Sequence, residues 1–264
     1  MRSSNPVLTR LGQAAQQERA AGGYGIYQPP TGFVTSRMMT LDDVVVRTVG
    51  LLALTGITGA VSWTLLDGPL GSAVSLAAFG SCFAGMVLGL VISFARITNP
   101  FLIGTYAVLQ GVLLGVVSRI FDAAYPGIVI QAVIGTFGVF AGMAVLYKMK
   151  VLRATPKFTR FVLGALIGIV GLSLINFFAY VFFNVNLGFV DYSVTGKVGW
   201  LPIVFCIAAI AVGALTFILD FDLVEQGVRQ GLPEKYAWYC SFGLLVGLIF
   251  LYWQILRLLS YLRR

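Results

Sequence analysis

The chain has 264 residues, 58% hydrophobic and only 11% charged, with a net charge of +8 and a mean hydropathy of +0.91. This balance excludes a soluble globular protein and leaves room for one polytopic domain with a short tail. Histidine is absent, which removes Ser-His and Cys-His catalysis, His-ligated zinc and haem, and the usual side chain for sensing mild acid, so proton chemistry near neutral pH must run through carboxylates.

Residues 1–40 are polar and mixed, with Gln13-Ala14-Ala15-Gln16-Gln17, Gly22-Gly23 and Pro29-Pro30, a composition that predicts a disordered cytoplasmic tail. No apolar core follows Arg2 at signal-peptide distance, so the first span is expected to drive insertion. Thr40-Leu41-Asp42-Asp43 reads as a helix N-terminus, with a capping hydroxyl and acids in the first turn.

Residues 41–264 form the predicted transmembrane domain. Seven apolar stretches, at about 44–66, 72–94, 101–121, 127–147, 161–184, 198–221 and 236–259, each meet the roughly 20 residues that a ~30 Å hydrocarbon core demands. Each must be helical, because a backbone exposed to lipid has to satisfy its own hydrogen bonds. Short connectors such as Asp67-Gly68-Pro69 and Ala124-Tyr125-Pro126-Gly127 make neighbouring helices antiparallel. The predicted fold class is therefore an all-α integral membrane bundle of seven helices, with the lipid bilayer as its surroundings.

The Lys/Arg pattern orients it. With the N-terminus in the cytoplasm, the inner segments hold Arg2, Arg10, Arg19, Arg37, Arg96, Lys148, Lys150, Arg153, Lys157, Arg160, Arg229 and Lys235, while the outer loops hold only Lys197, with Arg119 at a span end. Arg257, Arg263 and Arg264 conflict with this scheme, and a re-entrant last segment would remove the conflict. The basic residues flank the spans and do not gather on one amphipathic face, so nucleic acid is not an expected partner.

Gly85-x-x-x-Gly89 and Gly111-x-x-x-Gly115 predict close helix approach. Trp63, Trp200 and Trp238 fall where amphipathic rings anchor a span. Cys82, Cys206 and Cys240 lie singly in apolar runs without CxxC spacing and read as small buried hydrophobes.

Chemistry has to come from polar residues at membrane depth, where a charge is expensive and is normally paired or functional. These are Arg47, Gln110, Arg119, Gln131, Asn176, Asp220, Asp222, Glu225 and Gln254. On a helix Asp222 and Glu225 share a face, while Asp220 points about 200° away from Asp222. Asp222 with Glu225 could bind a cation or share a proton. Alternatively the cluster is the solvated cytoplasmic end of helix six, with Glu225 paired to Arg229. No phosphate-binding glycine motif occurs, and the basic loop from Lys148 to Arg160 attracts anionic lipid as a secondary role. Asp220 and Asp222 sit on one helix, so the two-aspartate pattern of intramembrane proteases fails. Enzymatic activity is not expected.

Phe221-Asp222-Leu223-Val224-Glu225 closing span six, Tyr106-Ala107-Val108-Leu109-Gln110-Gly111-Val112-Leu113-Leu114-Gly115 in span three, and the Leu251-Tyr252-x-x-Ile255-Leu256-Arg257-Leu258-Leu259 ending resemble the Bax inhibitor-1 family. With Arg2-Ser3-Ser4-Asn5-Pro6-Val7 and Met39-Thr40-Leu41-Asp42-Asp43-Val44-Val45, the likeness is to its bacterial, actinobacterial-type members. The resemblance implies a seven-helix bundle whose last helix is enclosed by the other six. It also implies a pH-sensitive calcium leak across the bacterial inner membrane, gated by a proton-sharing aspartate pair on helices six and seven. Asp222 matches the helix-six aspartate by its Phe-Asp context. The helix-seven position falls at Val246 or Gly247, neither ionisable; Gln254 further on is neutral, and Gln110 stands where many relatives carry glutamate.

The expected function is thus a pH-modulated calcium or cation leak with Asp222 as the main titrating gate residue and Asp220 or Glu225 as its acidic neighbour. Gln110, Gln254, Arg119 and Asn176 are candidate pore or gate partners. No resident cofactor is expected, only transient Ca2+. The alternative is a non-conducting interaction protein that modulates a membrane protease or stress-response partner, a role associated with some bacterial relatives.

Overall fold

Thr40 opens the first helix by exchanging hydrogen bonds with Asp43. Its hydroxyl accepts from the Asp43 amide at 3.2 Å, and the Asp43 carboxylate accepts from the Thr40 amide at 2.9 Å, so two N-terminal donors are satisfied reciprocally. The computed structural model describes residues 37–183, 185, 187–191 and 198–264. The polar tail up to residue 36, and Lys197 with the outer-loop role its charge suggests, lie outside the described residues.

The helices are α1 (Leu41–Leu66), α2 (Gly71–Ala95), α3 (Pro100–Ala124), α4 (Ile128–Lys148), α5 (Pro156–Phe183), α6 (Trp200–Arg229) and α7 (Tyr236–Leu262). All seven are long and apolar enough to cross a membrane. Among the described residues the only β pairing is an isolated bridge between Met38 and Pro233. Side chains such as Phe94 and Phe183 are 86% and 77% exposed, an arrangement suited to lipid and not to water. The chain is a multi-pass membrane protein.

Two helices reach more than three residues beyond their predicted limits because polar residues continue them. α5 begins at Pro156, where Thr155 Oγ1 accepts from the Phe158 amide at 3.3 Å and proline tolerates the first turn. α6 continues past 221 to Arg229. It stops where Gly231 takes φ 65° and the Leu232 amide donates back to Gly227 O at 3.1 Å, a left-handed ending that glycine adopts without strain.

α7 is the most enclosed helix and α5 the least, with 44% and 17% of their spanning windows buried. The expectation that all six others enclose α7 needs correction. α1, α3, α4 and α6 pack directly on it, α2 reaches it through Tyr239, whose hydroxyl donates to Ser93 O at 3.3 Å, and α5 packs on α6 alone. Lipid explains the outlying helix, since an apolar helix needs no protein cover there. Cys82 departs from expectation for the same reason. It is exposed on α2, whereas Cys206 and Cys240 are buried.

Glycine spacing sets the α1–α3 crossing. A Cβ at Gly111 would stand 1.8 Å from Thr58 Oγ1 and 2.6 Å from Thr55 O, and one at Gly115 would stand 2.2 Å from Gly59 O. Thr55 and Ser62 donate across this contact to Ala107 O and Val112 O at 3.3 and 3.2 Å. Gly85 and Gly89 of α2 face Gln110 and Tyr106 of α3 in the same manner, with 3.1 Å to each side chain.

The antiparallel order gives the bundle two ends, here termed basal, where α1 begins, and distal, where α1 finishes. At the basal end residues 37–40 are not loose tail. Met39 is buried and donates to Leu232 O at 2.8 Å, and Glu234 N donates to Arg37 O at 2.8 Å. At the distal end the arginines that violated the charge pattern are tied inside the protein. Arg263 donates to Pro126 O and Gln131 Oε1 at 3.0 and 2.8 Å, Arg264 pairs with Asp191 at 2.8 Å, and Arg257 lies over Trp253. α7 itself is one unbroken helix of 27 residues, about 40 Å long at 1.5 Å per residue. α7 is thus long enough to cross a membrane in one pass, and each of these arginines has a partner within the protein.

Candidate functional site

The acidic end of α6 divides between two faces. Asp222, Glu225, Gln226 and Arg229 line a basal pocket of about 520 Å³, completed by Tyr147 and Lys148 of α4 and by Lys150, Leu152, Arg153 and Ala154 of the following loop. Glu225 is fully engaged, accepting from the Tyr147 hydroxyl and from Arg229. Asp222 accepts from Gln226 Nε2 at 2.5 Å. The pair predicted to hold a cation or share a proton therefore sits among four basic side chains, near the C-terminal end of α6.

Asp220 points the other way, as the helical phase requires. It lines a cavity of about 380 Å³ with Thr216 and Leu223 of α6, Ser93 of α2, Leu166 and Val170 of α5, and Tyr239, Cys240, Gly243, Val246, Gly247 and Phe250 of α7. The α2 and α5 backbones nowhere come within 8 Å of each other, Cα to Cα, and the cavity is lined from both helices and from the α6–α7 seam. Gly243 lets the carboxylate approach α7: a Cβ there would stand 3.8 Å from Asp220 Oδ1. Among the described residues Asp220 has neither an ion pair nor a hydrogen-bond partner. It lies nine residues before the end of α6, about 14 Å along the axis.

The remaining candidates are held elsewhere. Arg119 pairs with Asp67 at 2.9 Å over Trp63 at the distal end. Asn176 is buried and anchors the connection after α5, its Nδ2 donating to Val190 O at 3.3 Å and its Oδ1 accepting from Leu187 N at 2.9 Å. Gln254 is buried against Cys206, whose thiol lies 3.1 Å from Gln254 O and 3.6 Å from its Oε1. Gln110 faces Gly85 between α3 and α2. Arg47 donates to both the carboxylate and the main-chain oxygen of Glu234 and lies over Trp238. Of the membrane-depth residues named from sequence, only Asp220 enters the cavity. Ser93, Thr216, Tyr239 and Gly243 were not singled out by sequence, although Thr216 stands one helical turn from Asp220 and could have been found by spacing.

A family model described as Bax inhibitor 1 like matches residues 5–264. The chain belongs to the Bax inhibitor 1 like family. Comparison with individual curated proteins gives no match. Within this Bax inhibitor 1 like chain, Val246 and Gly247 of α7, one or other of which the sequence resemblance marks as the partner position, line the cavity of Asp220 and not the pocket of Asp222.

Proposed function

We propose that this protein is a pH-modulated leak pathway for calcium or other cations, with Asp220, in place of Asp222, as its main titrating gate residue. The observation that carries this reading is a carboxylate without a described partner, inside the apolar length of α6, facing a cavity shared with Val246 and Gly247. A charge at that depth is costly unless it is paired or functional. Ionised, Asp220 offers a passing cation a compensating charge; protonated, it offers none, so one proton sets how readily the path is occupied.

Towards the distal end the α6–α7 seam is closed by two rings on two glycines. Phe217 lies 2.9 Å from a Cβ position on Gly247, and Phe250 2.9 Å from one on Gly213. Conduction in this reading requires those rings to move, and calcium is a transient occupant. The basal end is assigned to the cytoplasm of a bacterial inner membrane, with the N-terminus inside. Charge supports this: Lys148, Lys150, Arg153, Lys157 and Arg160 gather there, while the distal Arg119, Arg263 and Arg264 are bonded within the protein.

The test is calcium flux into vesicles holding the purified protein, from about pH 5 to about pH 8, the window between ordinary carboxylates and neutrality. Asp220→Asn is expected to flatten the pH dependence, and Asp222→Asn to leave it intact. A wild-type pH profile in Asp220→Asn overturns the gate assignment. No flux above empty vesicles at any pH overturns conduction, and leaves a non-conducting partner of a membrane protease or stress-response protein as the reading.

A further inference from the structure

We infer that the basal pocket between the end of α4, the loop 149–155 and the end of α6 binds the phosphate headgroup of an anionic phospholipid. The inference is independent of the leak reading. The pocket, about 520 Å³, is lined by Lys148, Lys150, Arg153 and Arg229 against Asp222 and Glu225, which leaves it with an excess of positive charge. Both carboxylates are already engaged, Glu225 by Tyr147 and Arg229, and Asp222 by Gln226. The side chains of Lys148, Lys150 and Arg153 have no ion pair and no hydrogen bond among the described residues. Three basic groups around one concavity suit a phosphate, which accepts charge-assisted hydrogen bonds on several oxygens.

The loop itself favours a lipid over a free anion. Its cations alternate with apolar side chains turned outward, Met149 at 67% and Val151 at 62% exposure. Such residues beside lysines are at home where acyl chains meet headgroups. Leu152 and Ala154 add apolar wall to the pocket, so a headgroup can enter while its chains descend along the bundle. Lys150 holds a left-handed backbone, φ 58°, which non-glycine residues rarely adopt.

The experiment is native mass spectrometry of the full chain in neutral detergent, titrated with phosphatidylglycerol, phosphatidylcholine or inorganic phosphate. Wild type is expected to retain phosphatidylglycerol in preference to phosphatidylcholine. Each pocket cation removed is expected to weaken retention about fivefold, so Lys148→Gln/Lys150→Gln/Arg153→Gln weakens it roughly a hundredfold. Lys157→Gln/Arg160→Gln, which removes nearby charge outside the pocket, is expected to change it less than the single Lys150→Gln. Should the triple variant unfold, Lys150→Gln carries the comparison alone. Equal retention by wild type and pocket variants overturns the site, as does an equal loss in Lys157→Gln/Arg160→Gln. Displacement of the lipid by equimolar inorganic phosphate overturns the lipid assignment in favour of a free anion.

Discussion

Asp220 faces the backbone of Gly243 across the α6–α7 seam, close enough that a methyl group on that glycine would make an ordinary contact, 3.8 Å, with Asp220 Oδ1. The glycine therefore leaves room without being sterically obligatory. Gly243→Ala is expected to keep the fold, with stability within about 0.5 kcal/mol, and to keep the flux. Gly243→Leu would fill the cavity and press on the carboxylate, costing about 1–3 kcal/mol in overpacking and lowering flux while the helices stay intact. Thermal unfolding followed by circular dichroism, beside vesicle flux, checks both; equal flux in both variants would remove the cavity from the pathway.

Helical phase was readable in the sequence and helix partners were not. The 3.6-residue repeat separates Asp220 from Asp222 and joins Asp222 to Glu225, and the structure keeps both relations. Nothing in the chain announces that Tyr147, 78 residues earlier, would engage Glu225, or that Gly243 would stand opposite Asp220. Those contacts depend on how α6 meets α4 and α7, which the spacing of residues along one helix does not specify. Proximity in sequence joins Asp222, Glu225 and Arg229, but it cannot register Lys148, Lys150 and Arg153, which the fold brings around them from α4 and the following loop.

The small-residue spacing in α3 makes a steeper prediction. At Gly111 and Gly115 a Cβ would run into backbone oxygens, Thr55 O at 2.6 Å and Gly59 O at 2.2 Å, and backbone cannot swing aside as a side chain can. Gly111→Ala or Gly115→Ala is expected to push α1 and α3 apart, at the upper end of the ~1–3 kcal/mol range for overpacking. Gly138→Ala, where nothing lies within 4 Å, serves as the neutral control. A lower unfolding temperature in detergent for the α3 variants alone is the expected result.

Arg47 ties α1 to the turn between α6 and α7 by two kinds of bond, one to the carboxylate of Glu234 and one to its main-chain oxygen. It also lies 5.0 Å from the Trp238 ring. Glu234→Gln removes only the ionic part and is expected to cost less than about 1 kcal/mol, since Glu234 is 36% exposed. Arg47→Ala loses the main-chain bond and the stacking as well, and is expected to cost about 2 kcal/mol more. Lysine lacks the planar fork that serves both acceptors, so Arg47→Lys should recover little of the difference. Unfolding temperatures of the three variants decide it; full recovery by lysine would reduce the contact to plain charge.

Asn176 was a candidate for lining a polar path, and its position argues for a different task. It is fully buried, and it both donates to Val190 O and accepts from Leu187 N, so one side chain fixes two points of the connection between α5 and α6. Replacement by Leu leaves those backbone groups without that partner, and an unsatisfied buried polar group costs about 1–3 kcal/mol. Asn176→Leu is therefore expected to lower the unfolding temperature and to make the connection after α5 more sensitive to protease. Because Asn176 does not line the Asp220 cavity, the shape of the pH–flux curve should be unchanged in protein that remains folded. A stable Asn176→Leu variant with altered pH dependence would reverse the assignment and return this amide to the conduction path.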